Sequence, residues 1–286
     1  MDYQTIKVEK NTPAVGATIS NVDLSAPLSN RQFDEIHDAL LRHSVIFFHD
    51  QNLTPDQHKD FSRRFGPLQS HAYIPHLEGH EEIVVLENDE KRPPNINAWH
   101  TDVTFQKNTP MGCVLYAREM PQSGGDTIWA SMYAAYEALS DKMQSFLSGL
   151  TALHSSGHVF GRGGGYSQSR GADQAAENMP EAVHPVLRTH PETGRIGLFV
   201  NSVFTVKIND MKTAESDALL QFLFEHMKTP EFQVRFRWAR NSIAFWDNRC
   251  TQHYALADYW PERRLMHRVS IDGDAPFFKP EKSALN

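Results

Sequence analysis

The feature that most constrains the fold is a succession of short apolar runs, at 45–48, 83–86, 113–116, 127–130, 196–200, 233–238, 243–246 and 266–271. Stretches carrying Gly, Pro and Asn separate them. Runs of this length suit strands with one or both faces buried, and turn residues between them point to an antiparallel sandwich or barrel. A parallel sheet built from βα units would need a helix between successive strands, and the second half of the chain has too few helical patterns for that. The expected class is mainly β with flanking helices packed outside. Sandwiches and barrels often run past about 200 residues as one unit, so a single domain over 1–286 is expected.

The helical patterns that do occur have clear start signals. Ser29 with Gln32 makes a capping box ahead of Phe33, Ile36, Leu40 and Leu41. Thr54-Pro55 with Gln57 does the same, with Phe61 and Phe65 inward and Gly66 as the stop. Ser131 and Ser140 begin two shorter helices, the second carrying Met143, Phe146, Leu147 and Leu150. Thr213 is read as the cap of another, with Leu219, Leu220, Leu223 and Phe224 as its buried stripe. Residues 155–183 differ: Gly-Arg-Gly-Gly-Gly at 161–165 and a polar stretch to Pro180 bury little, and read as a lid or insertion.

Charge and cysteine usage exclude some function classes. A net charge of −7 with no long basic run argues against nucleic acid as the main partner, while leaving room for a local basic pocket. Cys113 and Cys250 form no CxxC pair, and two lone thiols fit a reducing cytoplasm. No apolar run reaches roughly 18 residues and the first residues have no apolar signal core, so a soluble cytoplasmic protein without membrane contact is expected. A chain this long buries about three quarters of its surface without a metal staple, so a bound metal would be catalytic rather than structural.

His100-Thr101-Asp102 places an imidazole and a carboxylate at i and i+2, on one face of an extended strand, where one cation can take both. By itself that pair is a common turn or hydrogen-bonded motif. His253, after the run ending Phe245-Trp246-Asp247, is a candidate third ligand, and Arg264 follows it at the start of the last strand. Gly124-Gly125-Asp126-Thr127 offers a tight turn with a hydroxyl near the first pair. Two imidazoles and one carboxylate leave positions open on the metal, the arrangement suited to non-haem Fe(II) and O2. The open positions can chelate 2-oxoglutarate, whose far carboxylate needs an arginine.

Trp99-His100-Thr101-Asp102-Val103-Thr104-Phe105, Gly124-Gly125-Asp126-Thr127, Trp246-Asp247-Asn248-Arg249…Thr251-Gln252-His253-Tyr254 and Arg263-Arg264-Leu265-Met266-His267-Arg268 together resemble the taurine dioxygenase family, which includes alkylsulfatase and phenoxyalkanoate dioxygenases. The resemblance runs from Gly16 to Pro276. It implies a double-stranded β-helix (jelly-roll) core, His100, Asp102 and His253 as iron ligands, and Arg264 with Thr127 on the distal carboxylate of 2-oxoglutarate. It also implies a homo-oligomer, dimer or tetramer.

Arg268 lies four residues after Arg264, on the same strand face, so one arginine can serve the co-substrate and the other an anionic substrate. The resemblance gives Arg268 and His71 to a sulfonate head group, and sets Phe105, Phe160 and Phe204 along the pocket. Aromatic residues are as often plain core. Two departures bear on the substrate. Ile74 and Ile96 stand where the family has a tyrosine and an asparagine, with Tyr73 one place early. The expected reaction is hydroxylation of the carbon beside the head group of a small organosulfonate, releasing sulfite and an aldehyde alongside succinate and CO2. Alkyl sulfate esters and aryloxyalkanoates are the alternatives within the family. A zinc hydrolase on the same ligands would leave Arg264 unexplained, and a non-catalytic jelly-roll binding protein would leave the intact ligand set without purpose.

Overall fold

The computed structural model describes residues 3–71, 74–95, 97–160 and 179–280. Its strands, in chain order, are β1 (Lys7–Lys10), β2 (Ala17–Ser20), β3 (Val45–Phe48), β4 (Leu68–Gln69), β5 (His76–Leu77), β6 (His80–Asn88), β7 (Gly112–Glu119), β8 (Thr127–Ser131) and β9 (Thr151–Ser155). They continue with β10 (Glu181–Pro185), β11 (Leu187–Thr189), β12 (Ile196–Leu198), β13 (Thr205–Ile208), β14 (Gln233–Phe236), β15 (Ile243–Asp247), β16 (Thr251–Ala255) and β17 (Arg264–Ile271). The helices are α1 (Asn30–His43), α2 (Pro55–Arg63), α3 (Met132–Glu137), α4 (Asp141–Leu147), α5 (Gly157–Phe160) and α6 (Thr213–His226).

Among the described residues the main sheet runs β1-β2-β3-β15-β7-β17-β6-β5, with β4 on β17, and a smaller sheet runs β14-β8-β16. All pairings in these two sheets are antiparallel except β2 with β3. The central strands of the main sheet read as unbroken apolar runs because both of their faces are covered. Val45, Phe47, Cys113, Leu115, Ala117, Ala244 and Trp246 point to a cluster shared with Trp129, Val234 and Phe236 of the smaller sheet. Their alternates Ile46, Phe48, Val114, Tyr116, Ile243 and Phe245 point the other way, onto Ile36, Ala39 and Leu40 of α1 and Phe61 of α2. The period of two is therefore obeyed, but each phase of it meets an apolar partner. The facing sheets make the jelly-roll interior, and a third cluster lies under α3 and α6.

Local signals place the helix starts well. Ser29 and Thr54 both form the capping boxes their sequences call for, and Ser131 and Ser140 each accept the N3 backbone N–H of α3 and α4. Other expectations need correction. Thr213 is the first helical residue rather than the cap; Lys212 is the extended residue ahead of it, its N–H held by the Glu215 carboxylate at 3.0 Å. Phe146 is 52% exposed while Leu147 is fully buried, because neighbours on a helix point about 100° apart and only one can reach the core. Helix α2 stops at Arg63, before Phe65, which packs on Phe33 and Phe245 from the following turn. The insertion is also shorter at its ends than composition suggests. Ser155 closes β9, α5 covers Gly157–Phe160 and β10 begins at Glu181, while 161–178 lie outside the described residues.

Two buried histidines outside the cavity tie stability to pH. His58 Nε2 lies 3.1 Å from the Val114 carbonyl, and its Nδ1 is buried without a partner among the described residues. His154 Nδ1 lies 2.9 Å from Thr104 Oγ1, with Nε2 likewise unpartnered among those residues. Burial brings each down to about 3 from an ordinary 6.5. The unfolded chain therefore binds more protons than the folded one once the pH drops below 6.5, and folding stability falls with pH through that window. At pH 5 each histidine should cost about 2 kcal/mol. We expect the urea midpoint at pH 5 to lie about 1 M or more below that at pH 7, and His58→Gln to flatten the dependence. A midpoint that does not move between these pH values would refute this account.

Candidate functional site

The two histidines of the expected triad meet across an isolated antiparallel bridge. The His100 N–H donates to the His253 carbonyl at 3.0 Å, and the His253 N–H to the His100 carbonyl at 2.8 Å. Their ring centroids are 4.2 Å apart. His253 does not simply follow β15, as its place in the sequence suggests. A turn at 248–250 intervenes and β16 carries it, opposite Trp129 of β8, with its ring 4.9 Å from that of Trp246.

Asp102 arrives differently from expectation. It belongs to a turn rather than to an extended strand, because its N–H and carbonyl are both taken by the Asn248 side chain, at 2.9 and 3.1 Å, instead of by a ladder. Val103 then turns the chain at φ +44°, a strained conformation for a β-branched residue. Asp102 Oδ1 ends 3.9 Å from His100 Nε2, and one ligand atom from each of His100, Asp102 and His253 lies within 4.8 Å of the others. All three side chains are buried.

The protonation states suit a cation. His100 Nδ1 lies 2.8 Å from the Ala98 carbonyl, which can only accept, so Nδ1 carries the proton and Nε2 keeps its lone pair. Burial lowers both imidazoles, His253 to about 3 with His100 beside it as the next cause, so both are neutral donors at pH 7. Burial raises the Asp102 carboxyl, but the Arg268 guanidinium and then the two imidazoles outweigh it and hold the group below the usual carboxylate range.

These groups open into a cavity between the two sheets. Arg264 enters from β17, where it pairs in register with Asn88 of β6. It is buried; burial lowers its pKa and a hydrogen bond with Tyr259 offsets part of that. Tyr259 in turn donates to Asn88 Oδ1 at 3.0 Å. Gly125, at φ +70°, allows this packing, since a Cβ there would come within 3.2 Å of Arg264 Cδ and of Tyr259 Cδ1. Arg264 Nε has no hydrogen-bond partner among the described residues. Thr127 faces the same cavity from β8, and its hydroxyl accepts from the Trp238 indole at 2.9 Å, leaving its own proton to donate.

Arg268 lines the cavity too, on the face of β17 that Arg264 occupies. It is not simply a free anion receptor: Nη1 donates to Asp102 Oδ1 at 2.7 Å, while Nε is buried without a partner among the described residues. Burial lowers its pKa, but Asp102 outweighs this and raises it. His71 lines the cavity as well, and burial followed by Arg268 takes it to about 4, so it is neutral at pH 7. Phe160 and Phe204 form part of the wall. Phe105 stands behind them, its ring 5.1 Å from that of Phe204, and borders a smaller pocket with Gln69, Ser70 and His71. Ile74 is on the cavity wall; Ile96 and Tyr73 lie outside the described residues.

Sequence reasoning missed Tyr259, Asn88 and Trp238 around Arg264 and Thr127, and Cys113 and Asn248 around Asp102. None carries a sequence motif: the bonds of Asn88 with Tyr259, Trp238 with Thr127 and Asn248 with Asp102 span more than 100 residues, and Cys113, 11 residues from Asp102, is an ordinary apolar strand position. A second buried group, His190, Asp247 and Cys250, has ligand-type atoms within 4.8 Å of one another. It is already satisfied: His190 Nδ1 accepts the Glu192 and Thr193 N–H groups, its Nε2 meets Asp247 at 2.9 Å, and Arg249 takes both Asp247 oxygens. This group braces the turn before β16. His184, whose Nε2 contacts the Thr104 and Gln106 carbonyls, is structural in the same sense. Both cysteines are free and buried, as expected. No helix among the described residues is long and apolar enough to cross a membrane.

The geometry agrees with what the chain is similar to. Residues 7–270 match the family model described as taurine catabolism dioxygenase TauD, TfdA family. An alkylsulfatase from Acinetobacter baylyi is 34% identical over 279 residues, covering 95% of this chain and 86% of the relative. An alpha-ketoglutarate-dependent sulfate ester dioxygenase from Pseudomonas putida is 34% identical over 272 residues, covering 92% and 88%. The crystal structure of a taurine dioxygenase from Burkholderia xenovorans superposes with a TM-score of 0.83 at 35% identity, over 96% of this chain and 93% of that one.

Proposed function

This chain belongs to the TauD, TfdA family of taurine catabolism dioxygenases, and we propose that within it the chain oxidises an organosulfonate through a centre held by His100, Asp102 and His253. It is a non-haem Fe(II)- and 2-oxoglutarate-dependent dioxygenase. The residues present fit that chemistry: two neutral imidazoles and an ionised carboxylate make the donor set, and the buried Arg264 guanidinium lines the same cavity with an Nε that has no hydrogen-bond partner among the described residues. When bound, iron with 2-oxoglutarate and O2 supplies decarboxylation of the co-substrate to succinate and CO2 and transfer of one oxygen atom into a substrate C–H bond.

The rest falls to the protein. Arg264, packed on Tyr259 and without a partner at Nε among the described residues, takes the distal carboxylate of 2-oxoglutarate, and the Thr127 hydroxyl donates to it. Arg268 serves two anions: Asp102 through Nη1, and the substrate head group through the remaining edge of its fork. Neutral His71 donates a hydrogen bond to the same head group without adding charge. Phe160, Phe204, Leu115 and Ile74 line the space for the organic tail and exclude water from it. Hydroxylation of the carbon bearing the sulfonate gives a product that breaks its C–S bond, releasing sulfite and an aldehyde. The observation that carries the reading is the triad sharing one cavity with two buried arginines, each with an Nε that has no partner among the described residues.

Ile74, an apolar side chain 7% exposed on the wall, offers nothing to an amino group, so an alkyl tail is favoured over taurine's amine. The likeness to the alkylsulfatase and the sulfate ester dioxygenase supports alkyl sulfate esters as a second reading. Succinate release measured across alkyl sulfonates, taurine, alkyl sulfates, aryloxyalkanoates and neutral alcohols tests both. Alkyl sulfonates should lead, and Arg268→Lys, which keeps the charge but loses the fork, should raise their KM by about tenfold or more while changing the 2-oxoglutarate KM less. Preference for neutral substrates would overturn the role given to Arg268.

A further inference from the structure

Asp102 is restrained at every polar atom it has. Asn248, buried in the turn after β15, accepts the Asp102 N–H at Oδ1 and donates from Nδ2 to the Asp102 carbonyl at 3.1 Å and the Pro110 carbonyl at 3.4 Å. The amide has one workable orientation, because an N–H faces one end of it and carbonyls the other. Cys113, fully buried on β7, places Sγ 3.3 Å from Asp102 Oδ2. An ionised carboxylate only accepts, so the thiol is the donor, and its sulfur is steadied by Ser270 Oγ of β17 at 3.4 Å. Arg268 holds the other carboxylate oxygen.

These bonds oppose a strain. Val103 sits at φ +44°, where a β-branched residue stays only if its surroundings over-determine it. Beyond it, Thr104 is fixed by Asn201 Nδ2 at 3.1 Å and by His184 on its carbonyl at 2.8 Å. Release of the Asp102 side of this turn would let the backbone relax and the carboxylate rotate away from the two imidazoles.

We infer that Asn248 and Cys113 are positioning residues that hold Asp102 ready for the metal, Asn248 by clamping its backbone and Cys113 by fixing its carboxylate plane. The inference rests on the reading that Asp102 is a metal ligand. Partners of a ligand commonly change metal affinity by about 10- to 100-fold when removed. Asn248→Asp keeps the shape and still accepts the Asp102 N–H, but it sets an oxygen against two carbonyls. Cys113→Ala removes the donor, and Cys113→Ser restores one.

The test is titration of the full-length protein, without 2-oxoglutarate, with Mn(II) as a redox-stable stand-in for Fe(II), reading free Mn(II) by electron paramagnetic resonance. Thermal midpoints of the chelator-treated proteins are measured in parallel. Asn248→Asp should weaken Mn(II) binding by about 10- to 100-fold and Cys113→Ala by about tenfold, with Cys113→Ser recovering most of the loss. If Asn248→Asp does not fold, the Ala and Ser variants at 113 decide the matter alone. Mn(II) affinities matching wild type in the folded variants would overturn the inference while leaving the ligand assignment standing. Equal weakening by Ala and Ser, tracking a lower metal-free midpoint, would reduce both residues to packing and also overturn it. Failure of the wild type to bind Mn(II) would overturn the ligand assignment, and this inference with it.

Discussion

Exchange of Asp102 for alanine is expected to abolish the visible charge-transfer band that the anaerobic protein develops with Fe(II) and 2-oxoglutarate, and to lower kcat/KM by about a thousandfold or more, about 4 kcal/mol. The carboxylate is the anionic member of the His100, Asp102 and His253 set, and two neutral imidazoles alone neither offset the metal's charge nor fix a face of it. A second effect has a separate cause. Arg268 donates to Asp102 Oδ1 at 2.7 Å inside the protein, and deletion of the carboxylate leaves that guanidinium buried and uncompensated. Breaking such a pair from one side costs about 3–5 kcal/mol. The variant should therefore melt several degrees below wild type even in chelator, and Asp102→Ala with Arg268→Met should recover part of that loss without recovering the band. An Asp102→Ala protein that keeps the band would end the assignment of this residue to the metal.

Arg264→Leu should act with the opposite sign on stability. Burial lowers the Arg264 pKa, Nε has no partner among the described residues, and a carboxylate as close to it as Asp102 is to Arg268 is missing from those residues. Its cation is thus a burden on the folded chain until an anion arrives. We expect the 2-oxoglutarate KM to rise by about 100-fold or more, in line with the 2–5 kcal/mol typical of truncating one partner of a buried hydrogen-bonded charge pair. The metal-free midpoint should stay level or rise. Thr127→Val should have a smaller effect of the same kind on KM, and some of it will reflect the lost bond from the Trp238 indole. A normal 2-oxoglutarate KM in Arg264→Leu would show that the co-substrate is held elsewhere. The two variants together separate a charge the fold compensates from one it keeps for a ligand.

Much of this molecule is legible along the chain because its causes are local. The capping boxes at Ser29 and Thr54 close within three residues, so residue type alone places the starts of α1 and α2. The apolar runs at 45–48, 113–116 and 243–246 are legible as strands for the same reason. Where a local pattern had two solutions, it misled. Thr213 and Lys212 compete for one cap, Phe146 and Leu147 for one inward direction, and His100-Thr101-Asp102 for strand or turn. In the last case Asn248, 146 residues away, decides by taking both backbone groups of Asp102.

The ligand types, their order and the two arginines four residues apart follow from the amino-acid sequence by itself, as do the strand-rich class and the helix starts. What only the tertiary structure decided is how the charges are shared. Arg268 is bound to Asp102, and Arg264 is not bound in this way to any carboxylate among the described residues, although the two arginines look alike in sequence and share one strand face. That difference is set by register. Antiparallel pairing puts Arg268 beside Val84 and Leu115, two residues along β7 from Cys113, where the Asp102 turn folds over the sheet. The same pairing puts Arg264 beside Asn88, under Tyr259. Register depends on which strands meet and how they align, an outcome of the packing of both sheets at once, and a linear reading contains the residues but not their alignment.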